Sequence, residues 1–206
     1  MKRTPGTPPR RQSPADVVKL GGSLVGDARL PALLAEFARI GAPLVVVGGG
    51  GPLADAVRTL QPRLGFGDAA AHHMAILAME QTALALADLA PGLVPCADAG
   101  AIAQAHRAGR AALWRPAAMA RAAQVPASWE VTSDSLALWL AKEIGAARLT
   151  LVKAAPVEDP HGPAAGWAAK GLVDPYFPQI AAGFSGAIEA RSIKDALNRW
   201  KARAAA

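Results

Sequence analysis

Two kinds of segment alternate along the chain. Short runs of β-branched and other apolar residues are followed by longer segments in which apolar residues recur every three or four positions. The first kind predicts buried strands and the second predicts amphipathic helices. We predict strands at 17–20, 44–47, 93–95, 111–114 and 149–152, a strand or turn at 187–190, and helices at 29–40, 53–60, 72–89, 99–108, 136–144 and 192–203.

The order of these elements predicts an α/β fold. Strands that alternate with helices favour a mostly parallel sheet covered by helices on both faces. In the helix at 72–89, we expect Met74, Ile76, Leu77 and Leu84 to belong to the core. A single domain is expected over residues 15–206, and the basic, proline-rich composition of residues 1–14 predicts a disordered tail.

Composition excludes several classes of protein. The chain is 52% hydrophobic but has no apolar run of the roughly 20 residues that a membrane helix requires. The basic start of the chain is not followed by the apolar segment of a secretory signal. The single cysteine, Cys96, excludes an internal disulfide and is typical of a reducing compartment. We therefore expect a cytoplasmic protein with no membrane partner.

The net charge of +6 is concentrated near the start of the chain. Lys2, Arg3, Arg10 and Arg11 supply 4 of these charges without any acidic residue among them. The remainder is near +2, so nucleic-acid binding is a poor explanation of the charge, and we expect no nucleic-acid partner.

Two glycine-rich turns, one β-α unit apart, are the strongest chemical signal. Lys19 ends the first strand before Gly21, Gly22 and Ser23, and the second strand leads into Gly48, Gly49, Gly50 and Gly51. Such turns bring backbone N–H groups to phosphate oxygens, and a lysine at a strand end reaches the same anion. The alternative for Lys19 is a solvated strand end. Neither the spacing Gly-x-Gly-x-x-Gly nor a Walker A sequence is present, so the turns fit neither common class.

A second lysine and an aspartate extend this pattern. Thr132 or Ser133 is a good N-cap for the helix at 136–144, and Asp134 follows in its first turn. Asp134 is either a capping carboxylate or an organiser of two phosphate-binding lysines. Lys153 ends a strand, as Lys19 does, and the carboxyl ends of parallel strands share one edge of a sheet. That edge can hold Asp134 between the two lysines.

Four further residues are candidates on weaker grounds. Arg58, one turn from Asp55, forms an exposed ion pair or clamps an anionic acceptor. Trp129 lines a pocket or packs in the core. Asp174 and Tyr176 lie in a loop whose backbone can frame a nucleotide base.

No metal site or familiar hydrolase motif is predicted. His72 and His73 are adjacent, so on a helix their side chains diverge by about 100° and cannot chelate one metal; one of them faces the acceptor pocket, or both belong to the surface or core. The chain has no Cys-x-x-Cys pair, no His-Glu-x-x-His helix and no nucleophile elbow.

Four motifs in this order resemble the amino acid kinase family, which includes uridylate, acetylglutamate, aspartate and isopentenyl phosphate kinases. They are Val-Lys-Leu-Gly-Gly-Ser at 18–23, the glycines at 48–51, Thr-Ser-Asp-Ser-Leu-Ala at 132–137 and Leu-Val-Lys at 151–153. The resemblance implies a three-layer α/β/α sandwich that transfers the γ-phosphoryl group of ATP, with Mg²⁺, to a small phosphorylated acceptor. It also implies a homo-oligomer, a dimer or higher.

The resemblance also implies roles for single residues. Lys19 would stabilise the transferring phosphoryl group, Asp134 would orient the lysines, and Lys153 would bind the ATP phosphates. Gly21, Gly22 and Ser23, with Asp174 and Tyr176, are expected on the ATP side; Gly48, Gly49, Gly50, Gly51, Arg58, Trp129 and Ser133 are expected on the acceptor side.

One segment departs from the family pattern. The usual Thr-Asp-x-Asp-Gly-Val is replaced by residues 152–159, Val-Lys-Ala-Ala-Pro-Val-Glu-Asp. Residues 129–135 and 172–177 look most like the kinases of methanofuran biosynthesis, which convert (5-(aminomethyl)furan-3-yl)methyl phosphate to its diphosphate. UMP, isopentenyl phosphate or a carboxylate are alternative acceptors, and a non-catalytic nucleotide- or oxyanion-binding protein on the same fold is the alternative function.

Overall fold

A single six-stranded sheet, all of whose strands are parallel, forms the centre of the molecule. The structure is a computed structural model that describes residues 14–41 and 43–205. The expected α/β fold with a mostly parallel sheet is confirmed. The tail predicted at residues 1–14 lies, apart from Pro14, outside the described residues.

The strands are β1 (Asp16–Leu20), β2 (Leu44–Gly48), β3 (Val94–Cys96), β4 (Ala112–Trp114), β5 (Arg148–Lys153) and β6 (Ala187–Ser192), and they are arranged in the order β3-β4-β2-β1-β5-β6. The helices are α1 (Leu30–Ile40), α2 (Gly51–Leu64), α3 (Asp68–Leu89), α4 (Ala99–Arg107), α5 (Ala117–Arg121), α6 (Ser133–Glu143), α7 (Ala164–Ala169), α8 (Phe177–Ala181) and α9 (Ile193–Ala205). A short 3-10 turn, Gly22–Leu24, follows β1.

Side chains of the central strands divide between two hydrophobic cores. On one face of the sheet, α1 and α9 meet through the edge-to-face pair of Phe37 and Trp200, whose ring centroids are 5.4 Å apart. On the other face, α4 and α6 pack on the sheet, and α8 packs against α6. Because side chains alternate along a strand, Val18 points to the first face and Val17 to the second. Odd-numbered residues of β1 and β5 therefore project towards α6.

Two of the leucines expected in the core are exposed instead. Ile76 is buried, but Leu77 is 40% and Leu84 is 50% exposed. Apolar residues are spread around the whole circumference of α3, so its sequence does not reveal which side faces the sheet. The small residues Ala78 and Ala83 form part of its buried side, which leaves these two leucines on the outside.

Three short helices, α5, α7 and α8, are absent from the sequence-based prediction. Each has only five or six residues, which is too short to establish a helical period. Helices α2 and α3 also begin earlier than predicted, at Gly51 and Asp68. Pro52 lies within the first two positions of α2, where proline needs no intrahelical hydrogen bond.

Over the described residues, no helix combines the length and the apolar character needed to span a membrane.

Candidate functional site

Three charged side chains meet beyond the carboxyl ends of β1 and β5. Lys19 lies in β1 opposite Leu151 of β5, and Lys153 follows two residues later on the same face of the sheet. Asp134, in the first turn of α6, lies between them: its Oδ1 is 2.8 Å from Lys19 Nζ and its Oδ2 is 2.9 Å from Lys153 Nζ. The structure thus brings together the three residues that the sequence suggested as a set.

Burial makes this cluster sensitive to charge. The side chains of Lys19, Asp134 and Lys153 are 4%, 8% and 15% exposed. Burial alone would raise the pKa of Asp134, but the two ammonium groups outweigh it and lower this pKa below its ordinary value. Burial and the nearby Lys19 ammonium lower the pKa of Lys153, although Asp134 opposes them. With all three groups ionised, the cluster carries one net positive charge and attracts an anion.

The two glycine-rich turns pack against each other directly. A Cβ atom at residue 22 would lie 2.6 Å from the backbone nitrogen of Gly51, and one at residue 49 would lie 2.8 Å from the nitrogen of Gly22. Gly51 also has a φ of 53°, which favours glycine. These glycines therefore allow close approach of backbone to backbone, with Gly22, Gly50 and Gly51 at the surface of a cavity.

Not every glycine of the turns is available to a ligand. The Gly21 N–H donates to the Val152 carbonyl and the Gly49 N–H donates to the Leu20 carbonyl, both at 2.9 Å. The expectation that the Gly21 N–H donates to phosphate is therefore wrong in this conformation. A Cβ at residue 48 would meet Leu86 and Thr82 of α3, so Gly48 serves packing. Acceptor contacts were expected of all four glycines at 48–51. Gly50 and Gly51 line the cavity, whereas Gly48 and Gly49 do not.

A cavity of about 290 Å³ opens beside these turns. The polar part of its lining comes from Gly22, Ser23, Gly50 and Gly51 of the two turns and from Thr132 and Ser133 at the start of α6. Among the described residues, no side chain caps the N-terminus of α2; Pro52 has no N–H, which leaves the N–H groups of Gly51 and Leu53 without an intrahelical partner and suited to an anion. The walls are largely apolar and consist of Ala54, Ala75, Ile76, Met79, Trp129, Val131 and Leu136.

Trp129 and Arg58 form the rim of the cavity. The Arg58 guanidinium lies 4.4 Å from the centre of the Trp129 ring, and Trp129 Nε1 donates to Gln61 Oε1 at 2.5 Å. Arg58 also forms the exposed pair with Asp55, at 3.6 Å, that its spacing suggested. Both readings of Arg58 are therefore compatible, since the same side chain pairs with Asp55 and lines the cavity. Gln61 was not a candidate in the sequence, because only the tertiary contact with Trp129 identifies it.

Asp174 does not offer its side chain to a nucleotide. The residue is only 6% exposed. It accepts hydrogen bonds from the backbone or hydroxyl groups of Thr132, Ser135 and Phe177. The Asp174 side chain therefore serves the contact with α6, and only the backbone of its loop is left to contact a nucleotide, as predicted. Tyr176 is half-buried, its N–H donates to the Glu130 carbonyl, and the framing of a base by this backbone stays a prediction.

His72 lines the cavity, which is one of the two positions expected for the histidine pair. Burial lowers its pKa below the ordinary value of 6.5. Within the described part of the chain, no group of three or more histidine, cysteine, aspartate or glutamate residues is arranged to hold a metal ion. Mg²⁺ commonly binds through one or two carboxylates together with substrate phosphates, so these residues are compatible with a metal that is held mainly by a nucleotide.

Comparison with known proteins places this geometry in a wider group. Residues 16–157 match the family described as "Amino acid kinase family". No curated protein sequence matches the chain.

Solved structures share the fold at low sequence identity. Uridylate kinase from Archaeoglobus fulgidus has a TM-score of 0.67 and 17% identity, covering 91% of this chain and 95% of its own. UMP kinase from Bacillus anthracis has a TM-score of 0.66 and 14% identity, covering 89% of both chains. Aspartate kinase from Synechocystis has a TM-score of 0.67 and 16% identity, covering 87% of this chain and 38% of its own. At these identities the likeness shows the fold.

Proposed function

The chain belongs to the amino acid kinase family, and from this premise we propose that it transfers the γ-phosphoryl group of ATP to a small acceptor that carries a phosphate monoester. The observation that carries the proposal is the cluster of two lysines about one buried aspartate, beside an open cavity that Ser133 and Gly22 line. Phosphoryl transfer depends mainly on positioning and on positive charge around the migrating group. The cluster supplies both.

Each charged residue has a distinct part in this proposal. The Lys19 ammonium, the more deeply buried of the two, stabilises negative charge on the oxygens of the group in transit. The Lys153 ammonium, more exposed than that of Lys19, holds the phosphates of the donor. Asp134 touches neither substrate; its two oxygens keep the like-charged ammonium groups in place before the substrates arrive. ATP supplies the phosphoryl group, and Mg²⁺ supplies further positive charge on its oxygens.

The cavity suggests what kind of acceptor fits. The polar part of its lining, at Gly22, Gly50 and Gly51, suits an anionic phosphate at the N-terminus of α2. Its apolar walls suit a small ring or hydrocarbon body, and Arg58 and Asp55 at the rim suit a polar substituent. A phosphate-monoester oxygen is already ionised, so the transfer needs no strong general base.

The aminomethylfuran phosphate of methanofuran biosynthesis is the specific acceptor that we propose. It combines a phosphate, a small flat ring and a polar substituent, and the cavity lining offers groups complementary to each. This assignment rests on the sequence resemblance of residues 129–135 and 172–177 and on this complementarity. UMP, isopentenyl phosphate and carboxylate acceptors are the alternatives.

An acceptor screen tests the proposal. The protein is incubated with ATP, Mg²⁺ and each acceptor in turn, and ADP release is followed by a coupled assay. We expect turnover with a phosphate monoester and none without an acceptor. Asp134→Asn should slow this turnover strongly, to a rate that is still measurable, whereas Asp98→Asn, the same exchange at the N-terminus of α4, should leave it unchanged. Turnover with a carboxylate acceptor alone would overturn the proposed acceptor class.

The screen also separates the alternative function. Tight ATP binding, measured by calorimetry, without turnover on any acceptor would support a nucleotide-binding protein instead of a kinase.

The homo-oligomer implied by the family resemblance is also proposed, and sedimentation at several protein concentrations measures its size.

A further inference from the structure

The Asp174 carboxylate has an unusual set of partners for a loop residue. Its Oδ2 accepts from the Thr132 N–H at 3.0 Å, the Thr132 hydroxyl at 2.7 Å and the Ser135 N–H at 3.1 Å. Its Oδ1 accepts from the Ser135 hydroxyl at 2.5 Å and the Phe177 N–H at 3.0 Å. Only the bond from Phe177 lies within its own loop. The other four connect this loop to the start of α6.

The donors of these four bonds lie on either side of Asp134, the residue between the two lysines. Thr132 is the N-cap of α6, two positions before Asp134, and Ser135 lies one position after it, so Asp174 holds this turn on both sides of Asp134. The N–H of Asp134 itself has only a long contact, 3.4 Å, with the Thr132 hydroxyl. The anchoring of this turn therefore comes chiefly from Asp174, which lies about 40 residues further along the chain.

We propose that Asp174 is a positioning residue that fixes the first turn of α6 so that the Asp134 carboxylate stays between Lys19 and Lys153. Successive residues of a helix differ by about 100° in direction, so fraying or rotation of this turn moves Asp134 out of line with both ammonium groups. Asp174 acts through Asp134 and does not touch substrate, because its own oxygens are taken by α6 and Phe177. The kinetic part of this inference rests on the proposed function.

The position of Asp174 also affects the charge of the cluster. Burial and the Lys19 ammonium lower the pKa of Lys153, while Asp134 and, less strongly, Asp174 act in the opposite direction. Asp174 is thus near enough to the cluster to influence it electrostatically. A residue that served only to start α8 would need only its bond from Phe177.

A double-mutant cycle tests the coupling. Asp174→Asn, Asp134→Asn and the double variant are compared by kcat and KM. We expect Asp174→Asn to lower kcat at least tenfold and to change both KM values less than threefold. We expect the double variant to be no slower than Asp134→Asn, because both exchanges remove the same alignment. If the double variant instead loses kcat by the product of the two single losses, the proposal is overturned.

A labelling experiment gives a readout that needs no turnover. An amine-acylating reagent is applied at pH 8 and each lysine is quantified by mass spectrometry, with the exposed Lys201 as reference. We expect slow labelling of Lys19 and Lys153 in the unmodified protein, and at least threefold faster labelling in Asp134→Asn and Asp174→Asn. Asp98→Asn should leave both rates unchanged.

The two readouts distinguish the two proposals. If Asp174→Asn leaves both lysines as protected as before, the positioning role is wrong even if the protein is a kinase. If labelling changes as expected but no acceptor gives ADP release, the proposed function fails and the positioning role stands. Thr132→Val removes one donor and keeps the carboxylate; it should show the same pattern to a smaller extent, and it replaces Asp174→Asn if that variant does not fold.

Discussion

The Lys19 ammonium and the Asp134 carboxylate lie 2.8 Å apart with more than nine-tenths of each side chain buried. An ion pair in such a place is poor evidence of stability, because desolvation of two charges offsets much of their attraction. The second lysine, Lys153, makes the arrangement less favourable still for an empty protein, since two ammonium groups share one carboxylate. A bound polyanion relieves this imbalance, which is what a site for phosphoryl transfer requires.

Removing the ammonium of Lys19 should impair catalysis more than binding. Lys19→Met keeps the length of the side chain but leaves no cation at the transferring group, so we expect kcat to fall by a factor on the order of 10² to 10³. The coupled ADP assay measures this. Lys201→Ala, an exposed lysine on α9, serves as control and should retain full activity. Near-normal turnover by a folded Lys19→Met protein would contradict the role given to Lys19.

A methyl group at residue 22 should separate the two glycine turns. The new Cβ of Gly22→Ala would lie 2.6 Å from the Gly51 nitrogen, which is backbone and cannot move aside alone. We expect a loss of about 1–3 kcal/mol in the free energy of unfolding and weaker binding of the acceptor. Urea denaturation and the acceptor KM measure the two effects.

Gly166→Ala is the matched control for this exchange. Gly166 lies inside α7, and its new Cβ would come no closer than 3.4 Å to a side-chain atom of Pro163. Because alanine favours helix over glycine, we expect no loss of stability and a gain of up to about 1 kcal/mol. Equal effects of the two exchanges would show that the contact between the turns is unimportant.

The lysine-aspartate cluster was predictable because it depends on local rules. Side chains alternate along strands, so each lysine points to the same face as the residue two positions before it. Those residues, Val17 in β1 and Leu151 in β5, belong to the same core. The N-cap at Thr132 fixes where α6 begins, and Asp134 follows from it. Only the pairing of β1 with β5, which brings the two lysines side by side, had to come from the structure.

Other features depend on tertiary contacts that no local pattern encodes. Asp174 and Thr132 are hydrogen-bonded across 42 positions, so the sequence offered only a loop aspartate next to a proline. The close approach of Gly22 to Gly51 was hidden in the same way. The sequence shows that glycines are present in both turns, but not whether a ligand or the other turn requires them. Leu84 was misplaced because apolar residues occur on every side of α3, and only packing decides which side is covered.

The rim of the cavity should determine affinity for the acceptor rather than the rate of transfer. Arg58→Ala removes the guanidinium over Trp129 and a cation beside the cavity, so we expect the acceptor KM to rise about tenfold while the KM for ATP and kcat change little. Steady-state kinetics with each substrate varied in turn measure this. Arg63→Ala, an exposed arginine on the same helix that does not line the cavity, should leave all three constants unchanged.

Glu189 gives the chain a second buried charge cluster, on the face of the sheet opposite the site. It is 2% exposed and accepts hydrogen bonds from the Thr150 hydroxyl at 2.7 Å, from Arg191 Nη2 at 2.8 Å and from Arg199 Nη1 at 2.7 Å. Burial by itself would raise the pKa of Glu189, but the hydrogen bonds from these groups prevail and lower it to about 2.

The stability that Glu189 provides should therefore disappear in acid. A carboxyl group whose pKa falls from its ordinary 4.5 to about 2 on folding contributes its full stabilisation above pH 4.5 and loses it as the pH drops towards 2. The shift corresponds to at most about 3 kcal/mol. Glu189→Gln should thus be less stable than the unmodified protein at pH 7, and the gap should close between pH 5 and 2, as followed by urea denaturation. Glu143→Gln, at the exposed end of α6, should follow the unmodified curve throughout. A gap that stays constant across this range would show that Glu189 stabilises the fold through its shape and not through its charge.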